Sequence, residues 1–195
     1  MSALPARPAL LHARESVAFG PDGVRIVVVA DTHGRPHPQL DRRIAEASPG
    51  RILHAGDIGD LSVLTRLRAH APVTAVRGNI DERARDLPDV VTIDFHDGGQ
   101  SLFRLLLLHI AVQGLKIRAD AARLARSAGA SFVVCGHSHV PFAAHDRGLT
   151  VFNPGSVGPR RFQLPIVLGI LEVRRDGVSV RHVNCETGLP WTGIT

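Results

Sequence analysis

Over the first two thirds of the chain, short unbroken apolar runs alternate with stretches of helical period. VRIVVVA (24–30) is bounded by Gly23 and Asp31 and predicts a strand buried on both faces. PQLDRRIAEAS (38–48) then sets Leu40, Ile44 and Ala47 on one helical face. RILHAG (51–56) is the next strand, and Asp60 is placed to cap a helix that turns Leu61, Leu64 and Leu67 inward. PVTAVRG (72–78) reads as a third strand. VVTIDF and SLFRLLLLH flank HDGGQ, whose Asp97-Gly98-Gly99 is a hairpin signal. ADAARLARSAGA (119–130) is an Ala-rich helix ending near Gly129, and it leads into the strand SFVVCG. Beyond residue 145 the helical period stops. LTVFNPG, PIVLGILEV and VSVRHV are strands joined by turns such as Arg175-Asp176-Gly177. Alternation followed by a strand-only tail predicts an α/β fold of mixed sheets with helices outside. It occupies one domain over residues 23–195, after a flexible Pro-, Ala- and Arg-containing extension over 1–22.

Composition narrows this picture. The chain has 195 residues, 44% apolar and 21% charged, as expected for one globular domain with a sizeable core. It has no Tyr, one Trp and seven Phe, so the core must be aliphatic. The formal charge of +5 rests on arginines scattered from Arg7 to Arg181, with Lys116 the only lysine. No basic run is interleaved with aromatics, so nucleic acid is an open but disfavoured partner. Cys135 and Cys185 form no CxxC pair. The most apolar run, LFRLLLLHIAV, contains Arg104 and His109 and is too short for a bilayer span. The first residues hold no signal-peptide run, and the expected location is cytoplasmic, with no membrane partner.

The chemistry is concentrated where the buried strands end. The first is followed by Asp31-Thr32-His33-Gly34, the second by Gly56-Asp57 and the third by Gly78-Asn79-Ile80-Asp81. LFRLLLL ends in His109, and SFVVC ends in Gly136-His137-Ser138-His139. Ligands of open α/β sheets bind at the carboxyl ends of strands. Five such strands in one sheet would bring two Asp, one Asn and four His to a single edge, a donor set suited to Mn, Fe, Ni or Zn. Seven ligands exceed the need of one ion but suit two ions with a bridging carboxylate. Asp57, alone after its strand and beside a glycine, is the expected bridge.

In this order the residues resemble the calcineurin-like metallophosphoesterase superfamily: DTH (31–33), GD (56–57), GNID (78–81), His109 and GHSH (136–139). NPGSVGPR (153–160) is similar to a segment of its small bacterial and archaeal phosphodiesterase branch. The resemblance spans roughly residues 24 to 175. It implies two packed mixed β-sheets flanked by helices, a four-layer αββα sandwich. It also implies two divalent transition-metal ions, manganese foremost. One would be held by Asp31, His33, Asp57 and His139, the other by Asp57, Asn79, His109 and His137. The implied activity is attack of a metal-bridging hydroxide on a small phosphodiester, with no protein nucleophile. Two positions depart from the pattern. Ile80 stands where many members carry a His read as the general acid, and Ile110 stands where a Gly commonly follows the His.

Each residue taken singly has a plainer reading. Asp81 and His54 fit supporting positions behind the ligands better than ligation, and Asp60 fits a helix cap. Asn153 to Ser156 reads as a tight turn below the site, and Cys135 as a core residue. His12, His37, His70, His96, His145 and His182 lie outside the motifs. The competing functions are a non-catalytic protein-interaction scaffold on the same fold and a nuclease or nucleic-acid-processing phosphoesterase. The expected partner is a phosphate-ester small molecule, and a homo-oligomer is expected by family analogy.

Overall fold

The computed structural model describes residues 10–193. Along the chain run β1 (His12–Ala18), β2 (Val24–Val29), α1 (Leu40–Ala47), β3 (Arg51–His54), α2 (Ser62–Arg68) and β4 (Val73–Ala75). Next come β5 (Val90–Asp97), β6 (Gln100–Leu108), the short pair β7 (Val112–Gln113) and β8 (Lys116–Ile117), α3 (Ala119–Ser127) and β9 (Phe132–Val134). The last third holds β10 (Phe142–Asp146), β11 (Leu149–Asn153), β12 (Val167–Arg174), β13 (Gly177–Asn184) and β14 (Pro190–Trp191).

Two six-stranded mixed sheets result, ordered β1-β5-β6-β9-β11-β10 and β14-β13-β12-β2-β3-β4. Their facing sides meet in one core, where Ile93, Leu105, Leu107 and Phe152 of the first sheet pack on Ile26, Val28, Leu53 and Leu171 of the second. The outer side of the second sheet (Val27, Val29, Ile52, Leu168) buries Leu40 and Ile44 of α1 and Leu64 and Leu67 of α2. The outer side of the first (Leu106, Val133, Val151) buries the alanine face of α3, Ala121, Ala122 and Ala125. β2 is apolar from Ile26 to Val29 because both its faces are covered there. The architecture is the four-layer sandwich with helices outside. Asp60 Oδ1 accepts a bond from Ser62 N at 2.9 Å just ahead of α2, but the N-cap position falls on Leu61, not on Asp60 as expected, and Leu61 is exposed instead of inward.

The expectation for the chain's start needs correction. Residues 12–18 are not a flexible extension: they form β1, parallel to β5 in register from His12↔Val90 to Ala18↔His96. Residues 1–9 lie outside the described residues. β1 was hard to read because only its alternate positions face inward, and one of these is Glu15. An inward charge on an edge strand opposes further strand addition, and here it also joins the two sheets. Arg51 Nη1 of β3 donates to Glu15 Oε2 at 2.8 Å, and Thr74 Oγ1 of β4 donates to the same oxygen at 2.5 Å. β10 likewise escaped notice, its five residues alternating between half-buried and exposed.

Glu15→Ala would leave the half-buried Arg51 guanidinium without its carboxylate. The expected loss is about 1–2 kcal/mol of stability, read as a lower urea midpoint with an unchanged slope.

Candidate metal centre

β2 and β3 are parallel neighbours, with Val29 opposite His54, so their chains leave the sheet side by side. The pairing continues into the loops. Asp31 N donates to Gly56 O at 2.9 Å, His33 N to Asp57 O at 3.0 Å and Gly34 N to Ile58 O at 2.7 Å. Within these loops the backbone turns left-handed at Asp31 (φ 55°), His33 (φ 47°) and Asp57 (φ 53°), and again at His137 (φ 68°) and His139 (φ 58°). Non-glycine residues seldom adopt such φ values, which cost of order 1–3 kcal/mol each and concentrate at functional sites. The gain is direction. In an extended strand His137 and His139 would point to one face; here they part. Asn153 Nδ2 holds the turn between them, donating to Gly136 O at 2.7 Å and Ser138 Oγ at 3.1 Å.

The side chains meet in two groups, each with donor atoms within 4.8 Å of one another: Asp31 with His33 and His139, and Asp57 with His109 and His137. Asp57 lies between the groups. Its Oδ2 is 3.9 Å from His33 Nε2 and its Oδ1 is 3.3 Å from His109 Nε2. The seventh expected residue, Asn79, is exposed just past β4 and lines one cavity together with His109. These residues do not come from a single sheet, as the strand-end argument supposed. Asp31, His33, Asp57 and Asn79 follow strands of the second sheet, whereas His109, His137 and His139 follow β6 and β9 of the first.

The surroundings hold these atoms in place. His109 Nδ1 donates to Ala55 O at 2.7 Å, which fixes the ring and turns Nε2 towards the site. Asp31 Oδ2 accepts from His137 N at 3.1 Å, and Ser156 Oγ donates to Asp31 O at 3.1 Å. Asp81 is buried and accepts from Ile58 N, Gly59 N and Gly78 N at 2.7–3.0 Å, so it ties the Asp57 and Asn79 loops together. Buried His54 accepts from Gly56 N through Nδ1 and bonds Thr32 Oγ1 through Nε2, bracing the Asp57 loop against the Asp31 loop. A Cβ on Gly78 would lie 2.2 Å from Asp57 N, and one on Gly56 would lie 2.6 Å from His109 Nδ1. Only glycine permits those approaches. Arg161 carries no motif of its own beyond following NPGSVGPR, yet its Nη2 donates to His33 Nε2 at 3.1 Å.

Charge is arranged unevenly. Burial pushes the Asp31 carboxyl up to about 7, against the pull of His109. Burial also lowers His33 and His137, and takes His139 and His54 down to about 4, so these imidazoles are neutral at pH 7. Asp57 goes the other way. Burial opposes its charge, but the imidazole of His109, whose Nε2 lies 3.3 Å away, outweighs burial and holds the carboxyl below the usual range. Two buried atoms that face the centre, Asp31 Oδ1 and His109 Nε2, have no hydrogen-bond partner. Carboxylate oxygens and imidazole lone pairs that converge without a donor between them fit a divalent cation.

Residues 24–176 match the calcineurin-like phosphoesterase superfamily domain. A probable metallophosphoesterase of Methanothermobacter thermautotrophicus is 30% identical over 172 residues, covering 85% of this chain and 94% of that one. Among solved structures, wild-type Vps29 complexed with zinc from Entamoeba histolytica superposes with a TM-score of 0.66 at 23% identity, covering 86% of this chain and 96% of that one. A predicted phosphoesterase from Streptococcus pneumoniae gives 0.61 at 21% identity, covering 86% and 95%. The two structures share the fold, while the domain match and the archaeal relative go further: this chain belongs to the calcineurin-like phosphoesterase superfamily.

Proposed function

We propose that this protein is a phosphodiesterase working with two divalent ions. The observation that carries the reading is the position of Asp57, with one carboxylate oxygen towards each group of histidines. In this reading Asp31, His33, Asp57 and His139 hold one ion, and Asp57, Asn79, His109 and His137 hold the other. Manganese is the expected metal, with iron, nickel or zinc as alternatives. Bound there, such ions activate water and neutralise charge on phosphoryl oxygens.

The chain's own residues do the rest. Neutral His33, His137 and His139 keep their lone pairs available at pH 7. Arg161, once His33 Nε2 is engaged elsewhere, has its guanidinium donors free at the rim, where a phosphoryl oxygen accepts them. Cys135 takes no part: burial pushes its thiol up to about 12, which keeps it protonated. Ile80, half exposed beside Asn79, has no proton to give a leaving group. Diesters with good leaving groups are therefore the favoured substrates.

Three outcomes follow. Mn²⁺ at about 100 times its Kd should add about 2.7 kcal/mol of stability, raising Tm by roughly 5–10 °C, and chelation should reverse it. The rise should be larger at pH 8 than at pH 6. Below about 7 the Asp31 carboxyl holds a proton that a cation must displace, which weakens apparent affinity up to about tenfold per pH unit.

Hydrolysis of bis(p-nitrophenyl) phosphate should require metal, and His139→Ala should lower it by about 10² or more. Bound metal and activity both lacking in the native protein would leave the scaffold reading in front. Strong salt-sensitive binding of DNA or RNA would favour the nuclease.

For diesters with poor, alkyl leaving groups, Ile80→His should raise kcat by about 10²-fold or more, and it should do little for p-nitrophenyl leaving groups. An equal effect on both classes would show that no proton transfer had been supplied.

A further inference from the structure

The group containing His109 opens into a cavity of about 720 Å³ that runs from Asn79 and His109 along the end of β6 to α3. That volume is far beyond what a phosphate or a methyl ester fills, and it lies in the range of pockets for drug-sized ligands. Its floor is apolar, formed by Val90, Leu108, Ile110 and Leu124. Its charges are unevenly committed. Asp89 is engaged by the Arg77 guanidinium at 2.5 and 2.9 Å and by Leu11 N at 2.8 Å. Asp120 is engaged by Arg118 at 3.0 Å and by Ala121 N at 2.9 Å. Both acids are thus neutralised from within. Arg123, on the exposed side of α3, is the one charged residue of the wall without an ion-pair partner among the described residues. The cavity therefore offers an apolar surface at the metal-centre end and an uncommitted cation on the α3 wall.

We propose that this cavity is the subsite for one ester group of the substrate, and that this group is an apolar, ring-sized body ending in an anion that pairs with Arg123. The inference rests on the phosphodiesterase reading, which supplies the phosphorus held at Asn79 and His109. The cavity gives that reading a substrate class: diesters larger than alkyl phosphates, with a carboxylate, sulfonate or second phosphate at the far end of one arm.

The test uses the full chain loaded with Mn²⁺ and two substrates, bis(p-nitrophenyl) phosphate and a p-nitrophenyl diester whose second ring bears a carboxymethyl group. The charged diester should be preferred about tenfold in kcat/KM. Arg123→Glu should abolish that preference while leaving bis(p-nitrophenyl) phosphate turnover in place. Ser127→Trp, a change on the exposed end of α3 that fills the cavity, should raise KM for both diesters about fivefold or more without lowering kcat. Independently of turnover, anilinonaphthalene sulfonate, an apolar aromatic with one anion, should bind the native protein and lose about fivefold or more in affinity in each variant. A preference that is missing, or that survives Arg123→Glu, overturns the proposed occupant. Dye binding untouched by both substitutions overturns the site. If the metal-loaded native protein turns over neither diester, the phosphodiesterase reading has failed and the substrate assignment with it. Normal turnover with no effect of either variant condemns the subsite alone.

Discussion

The centre depends on three main-chain hydrogen bonds that carry the β2–β3 pairing past the end of the sheet, from residues 31, 33 and 34 to residues 56, 57 and 58. They make two loops move as one piece. Without them, Asp31 and Asp57 would sit on separate mobile tips, and five candidate ligand residues in left-handed backbone would relax towards ordinary φ values. At about 1–3 kcal/mol each, that strain is comparable with the whole net stability of a typical domain. Such strain persists only where the surroundings determine the geometry several times over. Asp81 does so with three accepted backbone bonds, His54 with two side-chain bonds and Gly78 by letting its loop press against Asp57.

The same rigidity creates an electrostatic conflict that the protein alone does not resolve. Asp31 is fully buried and close to a second carboxylate, and burial raises it to about 7. His109, its ring fixed by Ala55, directs Nε2 at Asp57. A core built for stability alone would have placed a donor among these acceptors or replaced them with apolar groups. Their convergence is coherent for a cation-binding site, because a divalent ion would turn each of these costs into an attraction.

Much of this was legible in the residues. The ends of β2, β3, β6 and β9 nearest the site are buried on both faces, so they appear as short apolar runs, and the polar residues that follow each run point to the site. What was hidden has two physical sources. β1 and β10 are edge strands whose outward positions are solvated, and a seven-residue segment with Glu15 facing inward has no composition that separates it from a tail. The placing of ligands on two sheets instead of one was hidden as well. Polar strand ends report that a run stops, whereas the pairing of β6 with β9, and of neither with β2, is a matter of long-range register. Arg161 was hidden for a similar reason. One more arginine in a chain rich in them becomes informative only once its guanidinium is found 3.1 Å from His33.

The two halves of the centre face different surroundings, and that asymmetry bears on how a substrate would sit. The Asp31 half is closed in by Ser156 and by Arg161, with its group of donors largely buried. The Asp57–His109 half opens through Asn79 onto the large cavity, with the apolar side chain of Ile80 nearby. A phosphoryl group would therefore present its oxygens to Arg161 on one side and an ester arm to the cavity on the other. A fold alone fixes no substrate. Discrimination must come from the parts that are not ligands. In this chain those are the apolar floor under α3, Arg123, which has no ion-pair partner among the described residues, and Ile80 without a proton to give, and under the proposed function all three would favour a reactive, extended diester over a small alkyl one.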